Sequence, residues 1–299
     1  MKVLVLGREG QLARGLLEVA ATTGIQLVST GRPEFDLTDE ESICAVLTRQ
    51  KPEIVVNAAA YTAVDKAESE PAVAHAINAL GAEAAARWCA GRSVPIIHIS
   101  TDYVFDGTKE SPYLESDTTG PINVYGLTKL EGEQRVANAC ERHVILRTAW
   151  VYSPWGTNFV KTMLRLATTR PIIHVVEDQL GTPTYAPDLA RAILSIAAQI
   201  RDDRDTMCWG TYHAAGSGET NWLGFAREVF KRAAGQGLPV AHVAGIASSA
   251  YPTTARRPSN SRLNSHKLGE GFGLELPDWR LGVENCVKRL TAQAEAGKS

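Results

Sequence analysis

The feature that most restricts the fold is a regular alternation of short apolar runs with longer helical patterns over the first half of the chain. Predicted strands lie at residues 2–6, 26–30, 53–57, 95–100 and 143–147. Predicted helices lie between them at residues 11–22, 40–50, 71–90 and 125–139. Near-continuous apolar strands are typical of a parallel sheet that helices cover on both faces. The pattern therefore predicts an α/β fold with a Rossmann-type doubly wound parallel sheet over residues 1–150.

The rhythm loosens after residue 150. Helices are predicted at 158–167 and 187–199 and a strand at 212–215, whereas residues 238–264 are rich in Pro, Ser and Thr without any period. We interpret residues 151–299 as mainly a smaller C-terminal substrate-binding lobe. Segments at about 187–217 are expected to return to the main domain.

Composition excludes several classes of protein. The 299 residues carry a net charge of −2, which gives no basic field for nucleic acid. No apolar stretch approaches the roughly 18 residues that a membrane span needs. The first apolar run is followed at once by glycines and charges, unlike a secretory signal. The five cysteines are far apart, with neither zinc-ligand spacing nor a disulfide pattern, so a cytoplasmic location is expected.

A glycine-rich turn follows the first predicted strand and opens directly into a helix. It reads Gly7-Arg8-Glu9-Gly10-Gln11-Leu12-Ala13, with the spacing G-x-x-G-x-x-A. Small residues let the backbone approach a pyrophosphate, which then lies at the positive end of the helix. Two glycines also occur in turns without a ligand. The position on the first strand-to-helix turn nevertheless favours dinucleotide binding, with Gly7 and Gly10 as contact residues.

The end of the second predicted strand normally selects the cofactor, because an acidic residue there binds the ribose 2′-hydroxyl. The sequence here is Ser29-Thr30-Gly31-Arg32 and has no carboxylate. Thr30 and Arg32 would suit a 2′-phosphate, which favours NADPH and leaves NADH possible. Arg32 could equally be a solvated charge. Asp36 and Leu37 are expected near the adenine.

A candidate catalytic set lies farther along the chain. Thr101 follows a predicted strand at the edge where ligands bind in such sheets. Tyr125 and Lys129 are four residues apart, hence on one face of a predicted helix. A phenol with a pKa near ~10 exchanges protons poorly unless a nearby cation favours its anion, and Lys129 is expected to supply that charge. The set predicts reduction of a carbonyl group, with Tyr125 as the proton donor and Thr101 as a hydrogen-bond partner of the same oxygen.

With these residues the chain resembles, nearly end to end, the dTDP-4-dehydrorhamnose reductases, a branch of the extended short-chain dehydrogenases/reductases. The blocks that carry the resemblance are residues 7–12, Asn57-Ala58-Ala59-Ala60-Tyr61-Thr62, residues 100–106, Tyr125 with Lys129, residues 147–152, Asp178-Gln179-Leu180-Gly181-Thr182-Pro183-Thr184 and residues 257–264. The resemblance implies NAD(P)H-dependent reduction of the 4-keto group of dTDP-4-dehydro-β-L-rhamnose to give dTDP-L-rhamnose. A dTDP-linked 4-keto-6-deoxysugar is thus the expected substrate.

The resemblance also implies roles for individual positions. Contacts with the cofactor are implied for Gly10, Gln11, Leu12, Ala60, Tyr61 and Thr62. Tyr125 and Lys129 are also expected to contact the cofactor, with Lys129 holding the nicotinamide ribose. Contacts with the sugar nucleotide are implied for Thr101, Asp102, Trp150, Asp178, Gln179 and Arg257. Trp150 could instead be a core aromatic residue, and Arg256 is an alternative to Arg257 for the diphosphate.

Some relatives are expected to dimerise around a magnesium ion held by carboxylates on the first helix and in the C-terminal half. This chain has Arg14-Gly15 on that helix and Pro187 and Arg289 at the other matching positions. We therefore expect no structural metal, a solvated Glu18, and a monomer or weak homodimer.

Three alternatives stay open. A related reductase of NDP-4-keto-6-deoxysugars could give the opposite stereochemistry at C4. An epimerase-reductase would need a further acid/base pair, for which Cys140 and His143 are adjacent but on the wrong side of the strand order. A non-catalytic, NADP-binding regulatory subunit would keep the fold without turnover, although the intact Thr-Tyr-Lys set argues against it.

Overall fold

The computed structural model describes residues 1–202 and 208–296. Its centre is a six-stranded sheet in the order β10-β5-β4-β3-β1-β2, and every neighbouring pair is parallel. The strands are β1 Lys2–Leu6, β2 Gln26–Thr30, β3 Ile54–Asn57, β4 Ile96–Thr101, β5 His143–Thr148 and β10 Gly210–His213. This confirms the predicted Rossmann-type fold class.

Helices cover both faces of the sheet. On one face α1 (Gln11–Ala20) packs with α8 (Ala186–Asp202) and α10 (His266–Phe272), so their apolar residues share one core with the strands. On the other face lie α2 (Glu40–Gln50), α5 (Gly81–Ala90) and α6 (Val124–Ala139). Side-chain caps fix the N-termini of two of these helices. Asp39 accepts from the amides of Glu41 and Ser42 at the start of α2, and Asn123 accepts from the amide of Gly126 at the start of α6.

The helix predicted at residues 71–90 is interrupted, so that prediction was wrong in detail. It consists of α4 (Pro71–His75), a π-helical turn Ala76–Leu80 and α5. The π turn lies against α6, where a Cβ on Gly132 would stand 2.1 Å from the carbonyl oxygen of Asn78. The wider turn points the Asn78 side chain inwards, where it accepts from the backbone N–H of Tyr61 at 2.8 Å. Such turns often occur at functional sites.

A second lobe is built from short strand pairs and helices around its own core. Its strands are β6 Val151–Tyr152, β7 Ile172–Val176, β8 Leu180–Gly181, β9 Thr184–Tyr185, β11 Thr220–Asn221 and β12 His242–Ile246. Its helices are α7 (Phe159–Ala167), α9 (Trp222–Ala234) and α11 (Trp279–Ala296). Residues 238–264, which have no sequence period, contain the strand β12, which pairs in parallel with β7. Segments of the second half also join the main sheet, since β10 pairs with β5 and α8 packs on α1.

The strand order locates the binding edge of the sheet. The chain passes from β1 to β2 on one side and returns to β3 on the other side of β1, so the order reverses between β1 and β3. Ligands bind at the carboxyl ends of the strands beside such a reversal. Within the described ranges, no helix has the length and apolarity that crossing a membrane requires.

Candidate active site

The glycine turn lies at this reversal and has the backbone geometry that a pyrophosphate needs. Gly7 has a φ of +119°, which L side chains rarely adopt, and a Cβ there would stand 3.3 Å from the amide nitrogen of Ala59. Gly10 precedes α1 and has no side chain, so the amides of the first helical turn are left without a side-chain cap. A helix N-terminus left open in this way suits a phosphate group, and the residues present therefore fit a dinucleotide.

The side chain of Gln11 points away from this turn and towards the second lobe. Its Nε2 donates to the carbonyl of Val151 at 3.2 Å, and its Oε1 accepts from Ser153 Oγ at 2.8 Å and from Asn158 Nδ2 at 2.9 Å. The predicted pyrophosphate contact of Gln11 is thereby limited to its backbone. That of Leu12 is limited in the same way, because its side chain lies in the core.

Arg8, which the sequence analysis did not select, lies beside the end of β2. A Cβ on Gly31 would stand 2.9 Å from the Cβ of Arg8, so Arg8 packs directly against the residue that follows β2. Its guanidinium is 2.8 Å from Glu34. Arg32 is 72% exposed and pairs with Asp36 at 3.3 Å. The signal for Arg8 was present, since it is the basic residue inside the glycine motif.

The other residues predicted to contact the cofactor near the end of β2 make contacts within the protein. Thr30 is buried, and its carbonyl accepts from the amide of Gly7 at 2.8 Å. Hydrogen bonds from the backbone and hydroxyl of Thr38 hold the pKa of the Asp36 carboxyl below its ordinary value. The side chain of Leu37 lies in the core with α2 and α5.

The segment after β3 lies beside the glycine turn and contains the predicted residues Ala60, Tyr61 and Thr62. The Tyr61 backbone exchanges two hydrogen bonds with the Asn78 side chain, and its hydroxyl donates to Glu70 at 2.7 Å. These bonds fix the path of the segment beside the glycine turn.

Thr101 and Asp102 lie where β4 ends. The hydroxyl of Thr101 donates to Asp102 Oδ1 at 2.9 Å and accepts from the amide of Tyr103 at 3.2 Å. Asp102 is 3% exposed, and its Oδ2 has no partner that meets hydrogen-bond geometry among the described residues. Burial raises the pKa of this carboxyl to about 7, although hydrogen bonding from Ser261 and Thr101 opposes the shift.

Tyr125 reaches Thr101 because α6 begins directly against the turn that follows β4. A Cβ on Gly126 would stand 2.1 Å from the carbonyl oxygen of Tyr103, so only glycine permits this approach. The rings of Tyr125 and Tyr103 meet edge to face, with centroids 5.8 Å apart. Burial raises the pKa of Tyr125 to about 12, the Thr101 hydroxyl lowers it by hydrogen bonding, and the charge of Asp102 raises it. Hydrogen bonding between the two hydroxyls thus places the side chains of Thr101 and Tyr125 next to each other.

Lys129 is 2% exposed, one turn farther along α6. Its Nζ donates to the carbonyl of Ile99 at 2.6 Å, and burial lowers its pKa to about 8 while the nearby Glu133 opposes this shift. In the resting site the Lys129 ammonium is held by β4, and the pKa of Tyr125 is set by burial, Thr101 and Asp102.

A cleft of about 930 Å³ opens between Tyr103 and the second lobe. Two of the predicted substrate residues, Gln179 and Arg257, line it. Arg257 also donates to Asp65 at 2.7 Å, so it connects the two sides of the cleft. Asp178 accepts from the amide and hydroxyl of Ser248, both at 2.9 Å, and thereby holds a wall residue in place.

Trp150 is part of an aromatic cluster beside this cleft. Its φ is +47°, and its indole stacks on that of Trp222 with centroids 3.5 Å apart and planes 8° apart. A Cβ on Gly181 would stand 2.3 Å from the Trp150 ring, so the glycine provides the space that the ring needs. Trp222 and Phe159 themselves line the cleft. The sequence analysis missed Trp222 because α9 was not predicted, and it did not select Phe159 although this residue lies in the helix predicted at 158–167.

Two further expectations concern residues outside the cleft. His143 begins β5 and pairs with Ile96, so Cys140 and His143 lie at the amino edge of the sheet, opposite Thr101. This removes them as an acid/base pair for epimerisation at this site. Glu18 is exposed to solvent and forms a surface ion pair with Arg289 at 2.8 Å. No group of three potential metal ligands occurs in the part of the chain that the structure describes.

Among α/β enzymes, a helix that presents Tyr-x-x-x-Lys beside the reversal of a Rossmann-type sheet is typical of the short-chain dehydrogenases/reductases. The large second lobe places this chain with the extended members.

Comparison with known proteins gives the family. The sequence profile described as RmlD substrate binding domain matches residues 1–292. The chain is 46% identical to the dTDP-4-dehydrorhamnose reductase of Sinorhizobium fredii over 99% of both chains. It is 43% identical to that of Escherichia coli K12 over 97% of this chain and 98% of the other. The crystal structure of the Bacillus anthracis dTDP-4-dehydrorhamnose reductase in complex with NADP matches with a TM-score of 0.89 at 34% identity, covering 96% of this chain and 99% of that one. The chain belongs to the dTDP-4-dehydrorhamnose reductase family.

Proposed function

We propose that this chain reduces the C4 keto group of dTDP-4-dehydro-β-L-rhamnose to give dTDP-L-rhamnose, with NADPH as the reductant. The observation that carries the proposal is the hydrogen bonding between the Thr101 and Tyr125 hydroxyls beside Tyr103, a residue that lines a cleft of about 930 Å³. A cavity of this size is large enough for a sugar nucleotide. The names of the relatives at 46% and 43% identity support the same reaction.

NADPH, when bound, supplies the hydride that forms the new C4–H bond. Tyr125 donates its proton to the carbonyl oxygen, which becomes the C4 hydroxyl. The phenol is protonated at neutral pH, so its proton is available for transfer. With substrate bound, the Thr101 hydroxyl turns from Asp102 to donate to the same oxygen and stabilises the charge that develops there. The Lys129 ammonium, one helical turn away, favours the phenolate that remains.

The cleft has the chemistry that a nucleoside diphosphate requires. Arg170, Arg256 and Arg257 line it, and guanidinium groups bind phosphate oxygens in a bidentate manner. Trp222 and Phe159 offer aromatic surface for the base. We assign the diphosphate to the arginines and the base to the aromatic pair, and we place Asp102, Trp150 and Gln179 near the sugar.

For the cofactor, we assign the pyrophosphate to the backbone amides that follow Gly10. We assign the 2′-phosphate to Arg8 rather than to Arg32, because Arg8 packs against Gly31. Glu34 pairs with Arg8 when no phosphate is bound, which weakens the preference and keeps NADH usable.

With this function we propose a domain division, an oligomeric state and a cellular location. Residues 1–150, with 187–217, form the cofactor domain, and the rest of 151–299 is mainly the substrate lobe. The chain is a monomer or weak homodimer, which sedimentation with and without magnesium tests. A cytoplasmic location agrees with five cysteines that form no disulfide.

The first experiment is NADPH oxidation with dTDP-4-dehydrorhamnose prepared in situ, with the product configuration read by NMR. Formation of dTDP-L-rhamnose supports the proposal, and the other C4 configuration indicates the related reductase. NADPH binding without turnover indicates a regulatory subunit or another keto sugar.

A matched pair of variants tests the assignment of the acid. Tyr125→Phe should lower kcat by about 100-fold or more and leave NADPH binding nearly unchanged. Tyr103→Phe removes the hydroxyl of the ring that touches Tyr125 and should lower kcat much less than Tyr125→Phe does. A larger loss of kcat in the Tyr103 variant would mean that the proton donor is assigned to the wrong tyrosine.

A further inference from the structure

A buried histidine lies directly behind the lysine of the proposed catalytic set. His98 is 1% exposed on β4, and its Nε2 is 3.4 Å from Lys129 Nζ. On its other side, Nδ1 is 3.1 Å from the amide nitrogen of Asn57, the residue that pairs with it across β3 and β4. Lys129 Nζ also donates to the carbonyl of Ile99, the next residue of β4. The ammonium group is thus held by two groups of one strand.

The hydrogen-bonding capacity of these groups selects one tautomer of His98. A neutral imidazole has one N–H and one acceptor nitrogen, and an ammonium group can only donate. Nε2 must therefore accept from Lys129, and Nδ1 must carry the proton. The Asn57 atom that faces Nδ1 is then the carbonyl oxygen, which a half-turn of the amide brings there.

The half-turn is consistent with the other contacts of Asn57. As placed, Asn57 Oδ1 is buried and has no hydrogen-bond partner in residues 1–202 and 208–296. The half-turn puts Nδ2 at that position, so the number of unpaired amide atoms does not change. The charge on Lys129 decides the orientation of the Asn57 amide, because it fixes which nitrogen of His98 carries the proton.

The charges around His98 keep it neutral. Burial, the Lys129 ammonium and His143 of β5 all lower the pKa of His98 well below its ordinary value. Asn57 of β3 carries no charge. Behind Lys129 on α6, Glu133 is already paired with Arg147 of β5 at 2.7 Å.

We propose that His98, fixed by Asn57 as the Nδ1–H tautomer, is a positioning residue for Lys129. Its Nε2 accepts a hydrogen bond from the ammonium group and holds that charge behind Tyr125 during reduction of the keto sugar. The inference rests on the proposed roles of Tyr125 and Lys129, and it adds a residue that touches neither substrate nor cofactor.

The tautomer is measurable in the resting enzyme. The histidine rings are labelled with ¹⁵N in the full chain, and the His98 ring is assigned through its nuclear Overhauser contacts with the Asn57 amide. We expect Nδ1 protonated and Nε2 unprotonated at pH 7, with no titration down to pH values well below that of an ordinary histidine. An Nε2–H tautomer would mean that Lys129 is the acceptor and uncharged. That result, or an imidazolium forming near neutral pH, overturns the proposal.

Two variants test the effect on catalysis. His98→Gln places an amide oxygen where Lys129 can still find an acceptor, whereas His98→Leu fills the space without one. We expect kcat to fall about tenfold to 100-fold in the Leu variant, the range for losing a hydrogen bond to a charged group. The alkaline limb of its kcat–pH profile should move to lower pH, because the ammonium form has lost a stabilising partner. The Gln variant should restore the position of that limb.

Equal losses in both variants with an unmoved limb would show that His98 only fills space. If the Leu variant does not fold, the tautomer measurement alone decides. If the wild-type enzyme binds NADPH but does not turn over dTDP-4-dehydrorhamnose, the proposed function fails while the ¹⁵N experiment still tests the histidine.

Discussion

Replacing Asp102 with asparagine should change how the stability of the enzyme depends on pH. This carboxyl is 3% exposed, and burial raises its pKa from 3.8 to about 7. A carboxyl with a raised pKa binds its proton more tightly in the folded than in the unfolded state. Its contribution to stability is therefore fully present below about pH 4 and is lost as the pH rises to about 7. The asparagine side chain of the variant cannot ionise, and its oxygen can still accept from the Thr101 hydroxyl.

The magnitude follows from the size of the shift. Raising the pKa from 3.8 to about 7 means that full ionisation of the carboxyl lowers the free energy of unfolding by about 4 kcal/mol at pH values above both pKa values. Part of this loss has already occurred at pH 5, where the unfolded carboxyl is mostly ionised. Between pH 5 and pH 8 the wild type should lose about 2–3 kcal/mol that the Asp102→Asn variant does not lose.

Urea denaturation at both pH values measures the difference between the two free energies of unfolding. Asp106→Asn is a matched control on the same segment. Hydrogen bonds from Thr108 and Tyr113 lower the pKa of the Asp106 carboxyl, so it stays ionised over this range in both states. The Asp106 variant should therefore follow the wild type between pH 5 and pH 8, whatever its absolute stability. If the Asp102 variant also runs parallel to the wild type, the carboxyl is not held in its neutral form by burial, and the reasoning is refuted.

Two further predictions concern the cofactor and the helix that carries Tyr125. Arg8→Gln should raise the KM for NADPH about tenfold and leave that for NADH within about twofold, because only NADPH has a 2′-phosphate for the guanidinium. Arg32→Gln is the control, and an effect confined to Arg32 would restore the assignment made from sequence. Glu133→Gln should lower the free energy of unfolding by about 3–5 kcal/mol, because it leaves the Arg147 cation buried without its partner. Urea titration measures this loss of unfolding free energy. Glu133→Gln should cost less in a protein that already carries Arg147→Met, and an unchanged cost would mean that the ion pair is not the source of the effect.

The sequence was sufficient to predict the sheet because most strands of its first half are buried on both faces, with the edge strand β2 as the exception. Their apolar runs are near-continuous, and turns and helices separate them clearly. The placement of Thr101 at the end of a strand and of Tyr125 on a helix could be predicted for a related reason. Both residues belong to local motifs whose geometry is determined by neighbours in sequence, such as the Gly126 that lets α6 approach the turn after β4.

Features that depend on distant residues could not be predicted in this way. The π turn at Ala76–Leu80 arises because Gly132 of α6 packs on the Asn78 carbonyl, and helical periodicity contains no sign of that contact. The direction of the Lys129 side chain depends on β4, not on its spacing from Tyr125. Trp222 was missed because the helices of the second lobe are amphipathic against a small core of their own, without alternating strands to mark them.

The first helix gives a physical reason to expect that cofactor and substrate sites influence each other. Its N-terminus follows the glycine turn, and the side chain of Gln11 in its first turn holds residues 151–158 of the second lobe. Two turns on, Glu18 pairs with Arg289 of α11, and the Arg289 guanidinium lies 4.8 Å from the ring centre of Trp155. One rigid element therefore contacts the proposed pyrophosphate site and the lobe that forms the cleft. Ordering of the glycine turn by a dinucleotide would restrict this lobe through Gln11, which favours binding of the cofactor before the sugar nucleotide.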